Sequence, residues 1–139
     1  MVASAKKQQG SSLAGTVGQA PDWLPDAHRP IGDLLALASG WDSYSAQQIS
    51  GDAGARAFAL LEQQTQRDTP RPSIVPMSRG GIQIEWHLRN LNIEITVPPA
   101  GSPVEVWYAD LCDGSEQEFM VEEDPGQLGE LLAELTLRR

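Results

Sequence analysis

Polar and apolar positions change rhythm along this chain. Between Pro30 and Gln66 the apolar residues recur at helical spacing, from Ser73 to Tyr108 they alternate, and after Asp124 the helical spacing returns. The first stretch, PIGDLLALASG, predicts a short helix with Pro30 at its start, Leu34, Leu35 and Ala38 at helical spacing, and Gly40 as a left-handed residue ending it. Ser50 then predicts the N-cap of a second helix over 51–66. Its Ala53, Ala57, Leu60 and Leu61 form one stripe with Phe58 at the border, while Glu62, Gln63 and Gln66 stay in water. Gly51 and Gly54 weaken its first turn, and Pro70 and Pro72 stop it.

SIVPM predicts a short edge strand, because Pro76 has no N–H to give to a ladder. Ile82, Ile84, Trp86 and Leu88 alternate with Gln83, Glu85 and His87. After Arg89-Asn90, Leu91, Ile93, Ile95 and Val97 alternate with Asn92, Glu94 and Thr96. A two-residue loop at Arg89-Asn90 opposes Leu88 to Leu91, Trp86 to Ile93, Ile84 to Ile95 and Ile82 to Val97 on one face. A slip of one residue would set apolar against polar everywhere, so the pattern specifies the register although Arg-Asn is not the favoured Asn-Gly. Val104, Val106 and Tyr108 continue the alternation, and a further strand is expected over 118–122 after the turn at Cys112-Asp113-Gly114. The last helix has Asp124 as N-cap, Pro125 at its first position and Gln127 completing a capping-box variant. Leu128, Leu131, Leu132 and Leu135 follow on one stripe, and Arg138 and Arg139 complement the helix dipole. The expected fold class is α+β: an antiparallel meander of three to five strands, with two N-terminal helices and one C-terminal helix packed on one face.

Composition narrows this further. A chain of 139 residues with 40% hydrophobic positions suits one domain with a real core. Residues 1–21, rich in Gln, Ser, Gly and Ala, predict a disordered tail, and 22–139 a single domain reached through an extended segment that Trp23 pins down. The formal charge of −9 repels phosphate backbones and anionic lipid and attracts basic partners, so neither nucleic acid nor membrane is expected as a partner. Cys112 is the single cysteine, which rules out an intrachain disulfide and a thiolate zinc site and fits a reducing cytoplasm. Lys6 and Lys7 are followed by QQGSSLAGTVGQA, which lacks the apolar run of a secretory signal, and no run is long enough to span a bilayer.

Candidate chemistry gathers on the polar side of the hairpin. The same register sets Glu85 opposite Glu94, His87 opposite Asn92 and Gln83 opposite Thr96, and continuing the pleat puts Glu105 and Trp107 beside them. Opposed carboxylates can share a proton, bind a divalent metal together with His87, or repel weakly in water. Nothing in the sequence supplies a lid over this face, so a solvated or partner-facing surface is the leading reading, with Trp107 as its aromatic anchor. The competing register makes Trp107 a core residue. In SGWDSYSAQQIS, Trp41 and Tyr44 are expected to plug the corner between the helices while Asp42 and Ser43 cap amides; a small-ligand loop is the alternative. No G-x-S-x-G elbow occurs, Cys112 abuts an acidic residue that disfavours its thiolate, and EFMVEED reads as a solvated acidic edge.

The ordered set GWDSYSAQQIS, PRPSIVP and GGIQIEWHLRNLNIEI resembles a group of small bacterial proteins that share W-D-x-Y-x-A-x-x-I-S, P-x-I-x-P and G-G-I-x-(I/L)-E-W. The resemblance covers roughly residues 40–97. It implies an α+β architecture and a bacterial origin, and it transfers no activity or site. The expectation is a small acidic cytoplasmic interaction or regulatory module. It binds a protein partner, or a second copy of itself, through an edge strand or the outer face of Gln83, Glu85, His87, Asn92, Glu94, Thr96, Glu105 and Trp107. No cofactor is expected. The alternative is a small hydrolase or metal-dependent enzyme built on Glu85, His87 and Glu94.

Overall fold

The computed structural model describes residues 20–139. A 3-10 turn, Pro25–Ala27, runs directly into α1, His28–Leu35, followed by α2, Gly51–Gln64. The strands β1 Ser73–Pro76, β2 Ile82–Leu88, β3 Leu91–Val97, β4 Glu105–Asp110 and β5 Ser115–Met120 come next, and α3, Pro125–Leu137, closes the chain. The strands form one 5-stranded antiparallel sheet in sequence order, with the helices on one face, an α+β fold as expected. Among the described residues, no helix is long and apolar enough to cross a membrane.

The β2–β3 register is the expected one at every position, from Ile82 opposite Val97 to Leu88 opposite Leu91. Ile82, Ile84, Trp86, Leu91, Ile93, Ile95 and Val97 are all buried beneath α2 and α3, whose buried stripes are Ala53, Ala57, Leu60 and Leu61, and Leu128, Leu131, Leu132 and Leu135. The turn is of the type I′ kind: Arg89 and Asn90 both have positive φ, 57° and 60°. A long side chain in that left-handed position is explained by what it reaches. Arg89 Nη1 donates to the carbonyl oxygens of Leu135 at 2.9 Å and Thr136 at 3.3 Å, in the last turn of α3, the negative end of the helix dipole.

The linker between α2 and β1 is held by two indoles. Trp23 Nε1 donates to the Thr69 carbonyl at 2.8 Å, and Trp86 Nε1 to the neighbouring Pro70 carbonyl at 2.7 Å. Thr69 is the buried polar residue among the described residues; its hydroxyl accepts from the Gln66 N–H and meets the Thr136 hydroxyl at 2.8 Å. These bonds let polar backbone lie against the core without an unpaired group.

Several local expectations are corrected. The Pro21–Pro30 segment is turn and helix, not extended, because Leu24, Ala27 and Ile31 bury one helical side while Pro25 and Pro30 fall in first turns that need no N–H donor. Of the tail expected over 1–21, Ala20 is an exposed bend and Pro21 is already buried; residues 1–19 lie outside the described residues. Helix α1 ends at Leu35, where Ala36 and Leu37 tighten into 3-10 bonding. Gly40 instead opens the following loop with φ 77°. Helix α2 stops at Gln64, two residues early, as Thr65 turns extended. Gly54 does more than weaken that helix. A Cβ there would stand 3.2 Å from Leu35 Cδ1 and 3.3 Å from Ile31 Cγ2, so its absence sets how closely α1 and α2 pack. Asp124 makes no side-chain cap; its carbonyl accepts from Gln127 N–H. Strand β5 begins at Ser115 instead of 118, since the turn closes tightly around Gly114 and the Gly114 N–H donates to the Asp110 carbonyl at 2.8 Å.

Candidate functional site

With every helix on one face, the opposite face of the sheet is left to side chains alone. Its positions across β2 to β5 are Gln83, Glu85 and His87; Asn92, Glu94 and Thr96; Glu105, Trp107 and Ala109; and Glu116, Glu118 and Met120. Lysine and arginine do not occur among these positions. All eight residues expected on this face are there, and the pairings Glu94 with Trp107 and Thr96 with Glu105 place the indole outward, not in the core.

At the centre, an imidazole sits between the two opposed carboxylates. His87 Nε2 lies 3.2 Å from Glu85 Oε1 and 3.8 Å from Glu94 Oε2, and its Nδ1 is 3.0 Å from Asn92 Oδ1. Gln83 donates from its side-chain amide to the other oxygen of Glu85. One ring nitrogen thus faces both carboxylates, close to Glu85 and farther from Glu94. Acceptance by the Asn92 side-chain oxygen is the main reason the His87 pKa is raised; partial burial opposes it, and Glu85 by hydrogen bond and charge, then Glu94 by charge, add to it. In its charged form the ring donates from both nitrogens and offsets part of the local negative charge.

Beside this cluster Trp107 lies half-buried between Glu94 on β3 and Glu118 on β5, and its Nε1 donates to Glu116 Oε1 at 3.3 Å. One end of the same face opens into a groove of about 570 Å³ with Val75, Pro76, Met77 and Pro98 among its walls and Gln83 and Thr96 at its border with the polar cluster. Sequence reasoning missed this groove. Its signal was the prolines Pro76, Pro98 and Pro99, which end backbone pairing at the strand ends and leave an apolar recess between two loops.

The corner loop departs in part from expectation. Asp42 Oδ1 does cap amides, accepting from Tyr44 N–H at 2.9 Å and Ala46 N–H at 3.2 Å, and Trp41 packs on the core with Nε1 donating to the Gln47 carbonyl. Tyr44 plugs nothing, being 86% exposed, because positive φ at Ser43 swings the chain outward at that point. His28 stacks on Phe58 on the helical side with ring centroids 3.8 Å apart, away from His87. Cys112 is exposed in the β4–β5 turn, where its N–H donates to Asp110. Glu122, in the acidic run, has a structural partner set: it accepts from the Val104 N–H and pairs with Arg56.

No protein-family model matches this chain, nor does any curated protein or any solved structure.

Proposed function

We propose that the outer sheet face is a docking surface for a basic polypeptide segment of a protein partner. The observation that carries this is Trp107, an indole held outward between Glu94 and Glu118 with Glu116 fixing its Nε1. An arginine or lysine laid over that ring meets the negative π face and carboxylates on both flanks at once. Cation–π contacts contribute about 0.5–1 kcal/mol at exposed sites and about 2 when desolvated. Glu85, Glu94, Glu105, Glu116 and Glu118 supply a field of one sign, which speeds encounter with a basic partner and disfavours acidic ones. The groove at the Pro76–Pro98 end offers a mainly apolar seat along the same face for an uncharged part of the segment, since Arg79 also lines it.

The test uses the full chain and a fluorescent extended peptide of alternating arginine and threonine, with a glutamate-for-arginine peptide as control. The expected result is salt-sensitive binding of the arginine peptide, weakened about tenfold or more by Trp107→Ala and several-fold by Glu118→Gln. Equal binding of the two peptides, or unchanged binding by both variants, would remove this reading.

A further inference from the structure

The cluster of Glu85, His87 and Glu94 has a second capability that does not depend on a protein partner. We infer that it is a binding site for one divalent transition ion, Zn2+ ahead of Mn2+ or Mg2+, held by His87 Nε2 and one oxygen from each glutamate.

Donor spacing is the first reason. Two ligands bound to zinc at tetrahedral angles stand about 3.4 Å apart. The separations from His87 Nε2, 3.2 Å to Glu85 and 3.8 Å to Glu94, lie on either side of that value. One donor atom from each residue falls within 4.8 Å of the others. The two carboxylates come from directly opposed residues on neighbouring strands, whose Cβ atoms stand about 4.5–5.5 Å apart, within reach of a common ion.

The surroundings of the donors are the second reason. A metal-bound imidazole uses one nitrogen and donates from the other to a fixed oxygen, which sets its tautomer and ring orientation. In this cluster Asn92 Oδ1 stands 3.0 Å from His87 Nδ1 while Nε2 is turned to both carboxylates. Gln83 holds the second oxygen of Glu85, which leaves Oε1 on the imidazole side. Both supporting residues are on the same two strands as the ligands, so the sheet register holds ligands and supports together. One imidazole with two carboxylates is a donor set suited to borderline divalent ions. It lacks the soft sulfur that selects copper(I) and the all-oxygen shell that selects magnesium or calcium. Three protein donors on an open sheet face leave the remaining coordination positions to water or to a group brought by another molecule.

The experiment is calorimetric titration of Zn2+, Mn2+ and Mg2+ into the metal-free full-length chain, repeated on His87→Ala, Glu94→Gln, Asn92→Ala and Cys112→Ala. The expected result is one Zn2+ per chain with micromolar affinity, weaker Mn2+ and negligible Mg2+. Cys112→Ala should bind as wild type, and His87→Ala and Glu94→Gln should lose at least tenfold. Asn92→Ala, which removes no ligand but frees the imidazole from the oxygen that orients it, should lose roughly tenfold or more. Ring-proton NMR gives a readout free of folding questions: the chain has 2 histidines, and Zn2+ should move the signals of His87 while leaving those of His28. Absence of saturable binding, affinity unchanged in His87→Ala, or loss of the ion only in Cys112→Ala would each overturn the assignment.

Discussion

Arg89 and Leu135, 46 residues apart in sequence, are joined by a 2.9 Å hydrogen bond from the guanidinium Nη1 to the carbonyl oxygen. The return contact comes from Arg138 at the end of α3, whose Nη1 donates to the carbonyls of Arg89 and Asn90 at 3.3 and 3.2 Å. The β2–β3 turn and the C-terminus of α3 thus cap each other. Two guanidinium groups bond backbone carbonyls at a helix end and a tight turn, where those of Leu135 and Asn90 also accept from the Arg138 and Leu111 N–H groups.

Arg89→Ala should therefore destabilise the fold by about 1–2 kcal/mol, the scale of a hydrogen bond from a charged donor plus its interaction with the helix terminus. Asn90→Gly should do the reverse, by a few tenths to about 1 kcal/mol, because glycine holds the left-handed φ without a side-chain penalty. Urea denaturation of both variants checks the pair, and a stabilised Arg89→Ala would show that the cap contributes nothing.

Two glycines without side-chain contacts of their own should respond oppositely to alanine. A Cβ on Gly81 would meet the Val97 carbonyl oxygen at 2.6 Å, so Gly81→Ala must shift the β2–β3 ladder and should cost about 2 kcal/mol or more. At Gly126, in the first turn of α3, the nearest atom is Asp124 Oδ1 at 3.9 Å. Gly126→Ala should gain up to about 1 kcal/mol from helix propensity. Thermal unfolding of the two single variants separates these outcomes.

Acid should act through Asp110. Arg138 forks onto it, with Nη2 at 2.7 Å from Oδ2 and Nη1 at 3.3 Å from Oδ1, and this partner, with the Cys112 N–H, lowers the Asp110 pKa below its ordinary value. A carboxylate whose folded pKa is lowered stabilises fully above its unfolded pKa of about 3.9, and that contribution fades as pH falls through the folded value. Asp110→Asn should melt below wild type at pH 7, and the two melting curves should converge as pH drops under about 4. A gap that persists unchanged at pH 2.5 would mean the ion pair is not its source.

In the corner loop the two aromatics should behave differently. Tyr44→Ala, removing an 86% exposed ring, should change stability by less than about 0.5 kcal/mol. Trp41→Ala removes packing on the core and the 3.1 Å bond to the Gln47 carbonyl, and should cost about 2 kcal/mol.

The parts of this fold that were legible in the sequence are those where one side of an element is dry along its whole length. Alternation over 82–97 gave the hairpin register position by position, since any slip would have exposed a full row of isoleucines. The leucine stripe of α3 and the Ser50 cap, whose Oγ accepts from Asp52 and Ala53 N–H, followed from equally local rules. What escaped was set by distant partners. Helix α1 starts earlier than Pro30 because Leu24 and Ala27 find a core to cover, and Arg89 is acceptable in its turn because α3 ends beside it. Ala109, Glu116, Glu118 and Met120 on the outer face were not anticipated, whereas the eight outer-face residues of β2, β3 and β4 from Gln83 to Trp107 were. The supporting roles of Asn92 and Gln83 were not, because they depend on side-chain rotamers that no periodicity encodes.

The sheet order β1-β2-β3-β4-β5 has a kinetic consequence. Each strand pairs with its sequence neighbour, so the sheet can grow by successive hairpins, with little loop entropy lost per step. Distant closures remain for the edges of the structure: Trp23 reaching Thr69, and Arg138 reaching Asp110. Folding of this chain should therefore be fast for a protein so rich in β-structure, with docking of the terminal helix as a late event. A chain cut before Pro125 should keep the local pairing signals of the meander yet lack the leucine stripe that covers its dry face.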